Sequence, residues 1–291
     1  MRSLREVLAD ADARHVAVGH FNIAELAALN GIFAAARGLN VPVLVGVSEG
    51  EREFVGVRRV AALVRALREE YGYPIFLNAD HTHSLDKVKE AAEAGFDEIL
   101  FDGSALQRGE NIAKTAEAVR IVRGIDPNIV VEGEIGYIGS SSEVIAEKPK
   151  LELSTPDEAV AFVKATGVDV LAPAVGNMHG LLKEMVSGEA HKRLDIPRIG
   201  EVKVAVVTAG CRFMTLHGGS GTADEDFVAA VRSGMTIIHV SSELRLAWRR
   251  GIEEGLRAHP DEIAPYKLLA PAAEGIRKIV EGRLKIFNSL G

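Results

Sequence analysis

The sequence predicts a (β/α)8 TIM barrel, and three observations lead to it. Eight short apolar runs rich in β-branched residues recur along 291 residues. Each is followed by a longer segment of helical period. The polar residues able to do chemistry gather where the runs end. Near-continuous apolar runs mark strands buried on both faces, hence parallel. Eight strand–helix units in succession close a barrel, which takes about 250 residues and more with insertions. Residues 1–291 read as one such domain, with no internal repeat or low-complexity tract.

In chain order, the strand Val16–Phe21 precedes a helix over Ala24–Arg37, and Pro42–Val47 precedes Val57–Tyr71. Pro74–Ala79 leads to Leu85–Ala94, and Glu98–Phe101 to Asn111–Arg123. Ile129–Glu132 leads to Thr155–Ala165, and Val168–Ala172 to Ile199–Ala209. Phe213–Leu216 leads to Thr222–Arg232, and Met235–Val240 to Ser242–Ala258. Ser84, Ser154-Thr155 and Thr222 are helix-capping residues, and Pro156 suits a first turn. Gly38, Gly72, Gly95, Gly167 and Gly210 end helices. A doubly wound open sheet would place a Gly-rich dinucleotide loop after the first strand. That place reads Gly19-His20-Phe21-Asn22-Ile23 and has none. The least regular connections, 140–153 and 182–198, are candidate site loops.

Composition narrows the function class. The net charge is −7 with charges interspersed, against the basic stripe of a nucleic-acid binder. No apolar run reaches the ~18 residues of a membrane span, and Met1–Asp12 carries no signal-like apolar stretch. The single cysteine, Cys211, excludes an intrachain disulfide and C-x-x-C metal sites. The expectation is a cytoplasmic protein with a small-molecule substrate, no nucleic-acid partner and no membrane.

Barrel enzymes build their sites at the C-terminal ends of the strands. Those ends carry His20 and Asn22, Ser48-Glu49, Asp80-His81-Thr82-His83, Asp102, Glu132 and Glu134, Asn177-Met178-His179-Gly180, His217-Gly218-Gly219-Ser220-Gly221, and His239 with Ser241-Ser242. Six of nine histidines thus fall at one rim. Three protein imidazoles plus an open position make a catalytic zinc site, and His81, His179 and His217 come from three different strands. His83 is an added ligand or a supporting partner. Gly218-Gly219-Ser220-Gly221 lies between a strand and a helix N-terminus, the place for a phosphate. Ser241-Ser242 would complete that cradle. Asp80 adjoins a ligand and either transfers protons or only orients a histidine. Glu132 and Glu134 share a face and form either a second cation site or partners for neighbouring Lys and Arg side chains.

Together these segments resemble the class II, metal-dependent ketose-bisphosphate aldolases, which include fructose- and tagatose-bisphosphate aldolases. The similarity runs from Gly19-His20-Phe21-Asn22 through Asn78-Ala79-Asp80-His81, Phe101-Asp102-Gly103-Ser104, Val131-Glu132-Gly133-Glu134, Gly176-Asn177-Met178-His179-Gly180 and Leu216-His217-Gly218-Gly219-Ser220-Gly221 to Ile286–Gly291. The resemblance implies reversible cleavage of a phosphorylated ketose, by default fructose 1,6-bisphosphate, to dihydroxyacetone phosphate and an aldehyde. It implies Zn2+ on His81, His179 and His217, with Glu134 serving an alternative metal position. It makes Asp80 the proton donor to the aldehyde oxygen. Gly180, Gly218, Ser220, Ser241 and Ser242 would surround the phosphate, and Asn22 and Ser48 would contact the sugar chain. A monovalent cation near the phosphate and a homodimer or homotetramer are also implied.

Two segments depart from the family pattern. Where acidic residues usually follow Gly-Gly, the chain has Gly139-Ser140-Ser141-Ser142-Glu143, so Glu143 is the remaining candidate acid. Where Asn-Val-x-Thr is usual, it has His239-Val240-Ser241-Ser242. These changes leave open a non-catalytic paralogue that binds metal and sugar phosphate, or an enzyme acting on a different sugar phosphate.

Overall fold

The computed structural model describes residues 2–139, 143–145 and 152–290. All eight expected barrel strands form: β1 (Val18–Asn22), β2 (Val43–Val47), β3 (Ile75–Thr82), β4 (Glu98–Phe101), β5 (Val130–Ile135), β7 (Val170–Pro173), β9 (Phe213–Leu216) and β10 (Ile237–Val240). They close in the order β1-β2-β3-β4-β5-β7-β9-β10, and every pair is parallel. Four strands run further than the apolar pattern indicated, β1 and β7 by one residue and β3 and β5 by three. β3 reaches Thr82 and β5 reaches Ile135, because polar side chains there point into a hydrogen-bonded barrel interior rather than into a loop.

The outer layer is α2 (Leu26–Leu39), α3 (Glu49–Val55), α4 (Val57–Tyr71), α5 (Leu85–Ala94), α6 (Arg108–Ile125), α7 (Pro156–Thr166), α9 (Ile196–Thr208), α10 (Asp224–Arg232) and α11 (Ser242–Ala258). Five helices lie outside the eight-unit expectation or before it, one of them α3 between β2 and α4. α1 (Leu4–Ala13) precedes the barrel, α8 (Lys183–Val186) sits in the 182–198 loop, and α12 (Pro265–Leu268) and α13 (Ala270–Phe287) follow α11. A two-stranded parallel ribbon, β6 (Val144–Ile145) with β8 (Leu181–Leu182), ties the two irregular loops together.

Side-chain alternation sorts the interior into layers. At the bottom, Val18, Leu44, Phe76, Val130, Val170, Phe213 and Ile237 pack on Leu4, Val7, Leu8 and Ala11 of α1, which plugs that end. Each Leu or Val so buried contributes about 1.5–3 kcal/mol. Two residues along β1, β3, β5, β9 and β10, the interior turns polar: His20, Asn78, Glu132, Thr215 and His239 are all buried. A further two residues along come Asn22, Asp80, Glu134 and His217, also buried, at the mouth. The same period therefore delivers a sealed floor and a polar site above it.

Gly46 belongs to the middle layer. A Cβ there would lie 2.1 Å from Cε1 and 2.2 Å from Nε2 of His20. Gly46→Ala is expected to displace His20 and cost about 1–3 kcal/mol, the usual range for overpacking. An unchanged midpoint in denaturant would contradict the placement of His20.

Candidate active site and metal centre

The mouth depends on one irregularity in β3. Strict alternation would send Asp80 inward and His81 outward. Instead His81 has φ +40°, and the pairing of β3 with β4 shifts between Ala79 and Thr82. This bulge brings both side chains to the mouth. A fully buried Arg52 clamps it: the guanidinium donates to the carbonyl oxygens of Val47 at 2.6 Å and Asp80 at 3.1 Å, and to Thr82 Oγ1 at 2.9 Å. Arg52 falls between the expected second strand and its helix, where no spacing marks it out.

His81, His179 and His217 converge as expected, each offering a ring nitrogen within 4.8 Å of the others. Their ring centroids are 4.8, 4.8 and 5.9 Å apart. Neighbours fix the ring orientations. His81 Nδ1 lies 2.8 Å from Asp102 Oδ2, and His217 Nε2 lies 2.7 Å from Glu132 Oε1. Those contacts leave His81 Nε2 and His217 Nδ1 facing the centre. His217 Nδ1 and His179 Nε2 are buried without any hydrogen-bond partner, an arrangement that calls for a ligand. Carboxylates holding the far nitrogen of an imidazole are the usual support of a metal-binding histidine. The donor set therefore fits a divalent ion.

The electrostatics agree. Asp80, Asp102 and Glu134 crowd around His81, at 3.8, 2.8 and 3.7 Å. Burial works to lower the His81 imidazole, but Asp80, Asp102 and Glu134 outweigh it and push it up to about 10. Burial, reinforced by Asp102, raises the Glu134 carboxyl well above the usual range. Burial and the His81 charge pull His217 down to about 3 and His179 well below its ordinary value, so both keep free lone pairs. The cluster is short of positive charge, the condition under which a cation is held. Asp102→Asn is expected to keep the fold but lower metal affinity by about 10–100-fold, measured by competition with a chelating dye. Unchanged affinity would remove Asp102 from the support of His81.

Asp80 is held from two sides. Its Oδ2 accepts from Asn22 Nδ2 at 2.8 Å, while Oδ1 has no hydrogen-bond partner and lies 3.6 Å from His239 Nδ1. Burial pushes the Asp80 carboxyl up, but the His81 charge and the polar contact with the His239 ring override it and hold it well below the usual range. His239 stacks on His20, with centroids 3.4 Å apart and planes 7° apart. His20 Nε2 in turn faces Asn78 Oδ1 at 3.3 Å, and Asn78 donates to Glu98 at 2.8 Å.

The Gly-rich turn forms the adjoining wall. Gly180, Gly218, Ser220, Ser241 and Ser242 line a narrow cavity of about 20 Å³ beside the three histidines. Gly218 has φ +61°, and a Cβ there would meet the Met178 carbonyl oxygen at 2.2 Å, so only glycine permits this turn. Ser220 Oγ accepts from the backbone N–H groups of Ser241 and Glu243, both at 3.2 Å. Ser241 Oγ is buried without a partner. Behind the turn, the Lys192 ammonium donates to the carbonyl oxygens of Met178 and Gly218.

A wider polar cavity of about 300 Å³ opens outward from Asn22, Asp80, His81 and His179. Ser48, His83 and Glu143 face it. Glu143 arrives there because it begins the β6–β8 ribbon, where its carbonyl accepts from Leu181 N–H at 2.8 Å. A larger apolar cavity of about 470 Å³ lies alongside, bordered by Ile23, Phe54, Leu244 and Trp248. It contains none of the histidines and not Asp80, so the chemistry belongs to the polar cavities.

Several expectations need correction. Gly219 does not line the cavity, because its N–H is spent on the His239 carbonyl at 3.0 Å. Among the described residues Glu132 and Glu134 do not partner Lys or Arg: Glu132 accepts from Thr215 and supports His217, and Glu134 faces His81. His83 is exposed, with its ring near the Asp102 backbone. Ser140, Ser141 and Ser142 lie outside the described residues. Asp102 and Glu132 were visible as polar strand residues, but only the closed register reveals which histidine each supports.

The chain matches the family described as "Fructose-bisphosphate aldolase class-II" over residues 2–291. It is 34% identical over 292 residues to a Bacillus subtilis (strain 168) protein named "Probable fructose-bisphosphate aldolase", covering 99% of this chain and 97% of that one. It is 32% identical over 293 residues to the fructose-bisphosphate aldolase of Staphylococcus aureus (strain Mu50 / ATCC 700699), with the same coverage. Among solved structures, the YdjI aldolase from Escherichia coli K12 superposes with a TM-score of 0.82 at 26% identity, covering 99% of this chain and 98% of that one.

Proposed function

The chain belongs to the class-II fructose-bisphosphate aldolase family and is a metal-dependent aldolase acting on a sugar phosphate, and from that premise we propose roles for its residues. The substrate is a ketose bisphosphate, with fructose 1,6-bisphosphate first. The observation that carries the reading is the meeting of three features: buried, unpartnered nitrogens on His179 and His217, the Asp80 carboxylate beside them, and the serine- and glycine-lined pocket next door.

His81, His179 and His217 hold the divalent ion, with Glu134 available for a second position. Imidazole donors suit zinc. When bound, the ion supplies Lewis-acid polarisation of the substrate carbonyl and offsets the charge that develops on its oxygen. Gly180, Gly218, Ser220, Ser241 and Ser242 hold the phosphate of the ketone half, and Asn22 and Ser48 contact the sugar chain. His239, with a neutral buried ring, packs against that half. Asp80, ionised at neutral pH, accepts the proton of the hydroxyl that becomes the aldehyde. The adjacent carbon–carbon bond then breaks, leaving its electron pair on the ketone half as an enediolate. Glu143, at the mouth, passes a proton taken from solvent to that carbon and yields dihydroxyacetone phosphate, while the proton on Asp80 leaves to solvent, so none is gained or lost overall. In condensation Asp80 gives its proton back to the aldehyde oxygen.

The whole of residues 1–291 serves this one site. The assembly is a homodimer or homotetramer, as the resemblance implies. The cytoplasm is its compartment, a reading supported by a buried, unbridged Cys211. The test is product analysis of zinc-loaded protein with fructose and tagatose 1,6-bisphosphates. Two smaller fragments, one of them dihydroxyacetone phosphate, support cleavage. A product of unchanged mass would instead mean isomerisation, and no product with either would move the substrate elsewhere.

A further inference from the structure

Glu51 lies in the first turn of α3, and its side chain is only 10% exposed. Its one carboxylate meets partners from three segments of the chain. Oε2 accepts from Ser48 N–H at 2.8 Å and from Asn22 Nδ2 at 3.0 Å. Oε1 accepts from Arg245 Nη2, on α11, at 2.7 Å. Two of those partners, Asn22 and Ser48, are the residues assigned above to the sugar chain. Glu51 itself borders the apolar cavity and neither of the polar ones. It therefore stands behind the residues it holds.

The consequence falls on Asn22. Its Nδ2 donates to Glu51 and also to Asp80 Oδ2, at 2.8 Å. An amide nitrogen carries two hydrogens, and here each goes to a carboxylate. That fixes the amide in one sense, because its oxygen in the same place would face two acids. The amide oxygen, Oδ1, accepts from no described residue, and Asn22 borders both polar cavities and the apolar one. Asn22 thus offers the substrate an acceptor, which suits a hydroxyl. The Asn22 bond is also the one hydrogen bond to Asp80 Oδ2 among the described residues. Without Glu51, one Asn22 N–H would lose its acceptor, and the amide could turn over and release Asp80. The two carboxylates repel each other across the shared nitrogen, and the Arg245 guanidinium offsets the charge of Glu51 on its far oxygen.

We propose that Glu51 is a positioning residue of aldol cleavage: it holds the Asn22 amide with its nitrogen toward Asp80, which keeps Asp80 Oδ2 aimed and turns the Asn22 oxygen to a substrate hydroxyl. The proposal rests on the reading of Asp80 as the group that takes the hydroxyl proton. Glu51 acts through Asn22 and never on the substrate. Its effect on turnover therefore exists only while Asn22 is present. A glutamate that merely capped α3 would act on stability, with or without Asn22.

The experiment is a double-mutant cycle on zinc-loaded, full-length protein, read as steady-state cleavage of fructose 1,6-bisphosphate by wild type, Glu51→Ala, Asn22→Ala and the double variant. Glu51→Ala should retain zinc and lose at least about tenfold in turnover, since a misplacement of about 1 Å costs up to about 10²-fold. The loss should fall on kcat more than on KM, because the phosphate pocket is untouched. Asn22→Ala should lose at least as much. The double variant should match Asn22→Ala to within about twofold, whereas independent effects would multiply. Glu51→Gln, whose amide oxygen can still accept from Asn22 and Ser48, should recover most of the loss. The proposal is overturned by wild-type kcat in Glu51→Ala, by a loss confined to KM, by losses that multiply, or by Glu51→Gln as slow as Glu51→Ala. If Glu51→Ala does not fold, Glu51→Met, of similar length and without an acceptor, takes its place in the cycle and the same results decide. Wild type that cleaves no ketose bisphosphate would overturn the aldolase reading and this proposal together. Wild type that turns over while the two losses multiply would overturn the proposal alone.

Discussion

His217→Ala is expected to remove most of the bound divalent ion and reduce aldol cleavage by at least about 10³-fold, some 4 kcal/mol in the barrier. His217 contributes the Nδ1 that is buried and without a partner, and it is held by Glu132 at 2.7 Å. Thermal denaturation provides a second readout. A ligand bound only by the folded state raises stability in proportion to the logarithm of its concentration. Zinc should therefore raise the midpoint of wild type and not that of the variant. Stoichiometric zinc retained by His217→Ala would refute the ligand assignment.

Asp80→Asn tests the opposite division of labour. The amide has the same shape, so Asn22 and Arg52 should still hold the bulge in place, and metal content should be unchanged. Turnover should fall by about 10²–10⁴-fold, the range for losing one general acid–base group. The loss should fall on kcat rather than KM, because Asp80 acts on the proton in transit and not on the phosphate. Turnover at the wild-type level would reduce Asp80 to a group that orients the histidines.

The barrel was legible because its strands are buried on both faces and most of its helices start and end at the expected residues; Thr222 and Gly38 are the exceptions, since Ala223 caps α10 without a side-chain bond and α2 runs through Gly38 to a left-handed Asn40. The rim was legible for the same reason: six histidines and several acids fall at strand ends, which are a small part of the chain. The pairing within the site was hidden by geometry. Period-two alternation turns Asp80 inward but His81 outward. Only the left-handed backbone at His81 and the Arg52 clamp bring both to one mouth. Asp102 with His81 and Glu132 with His217 are contacts between strands, invisible to spacing within one. Glu143 reaches the mouth through a short ribbon joining the two candidate site loops, a pairing that spacing within either loop does not reveal. Lys192 escaped notice because a lysine in a polar loop reads as solvated, whereas this one is enclosed by three segments of backbone. The N-terminal segment carried no sign of a part in the barrel, yet the apolar side of α1 seals the barrel floor.

The account stands or falls most directly on dihydroxyacetone phosphate release from fructose 1,6-bisphosphate, measured before chelation, after chelation and after zinc is restored. Release that the chelator abolishes and zinc recovers is the predicted result. Release that persists in protein shown to be free of metal would contradict the central claim, because His81, His179 and His217 would then have no part in the chemistry.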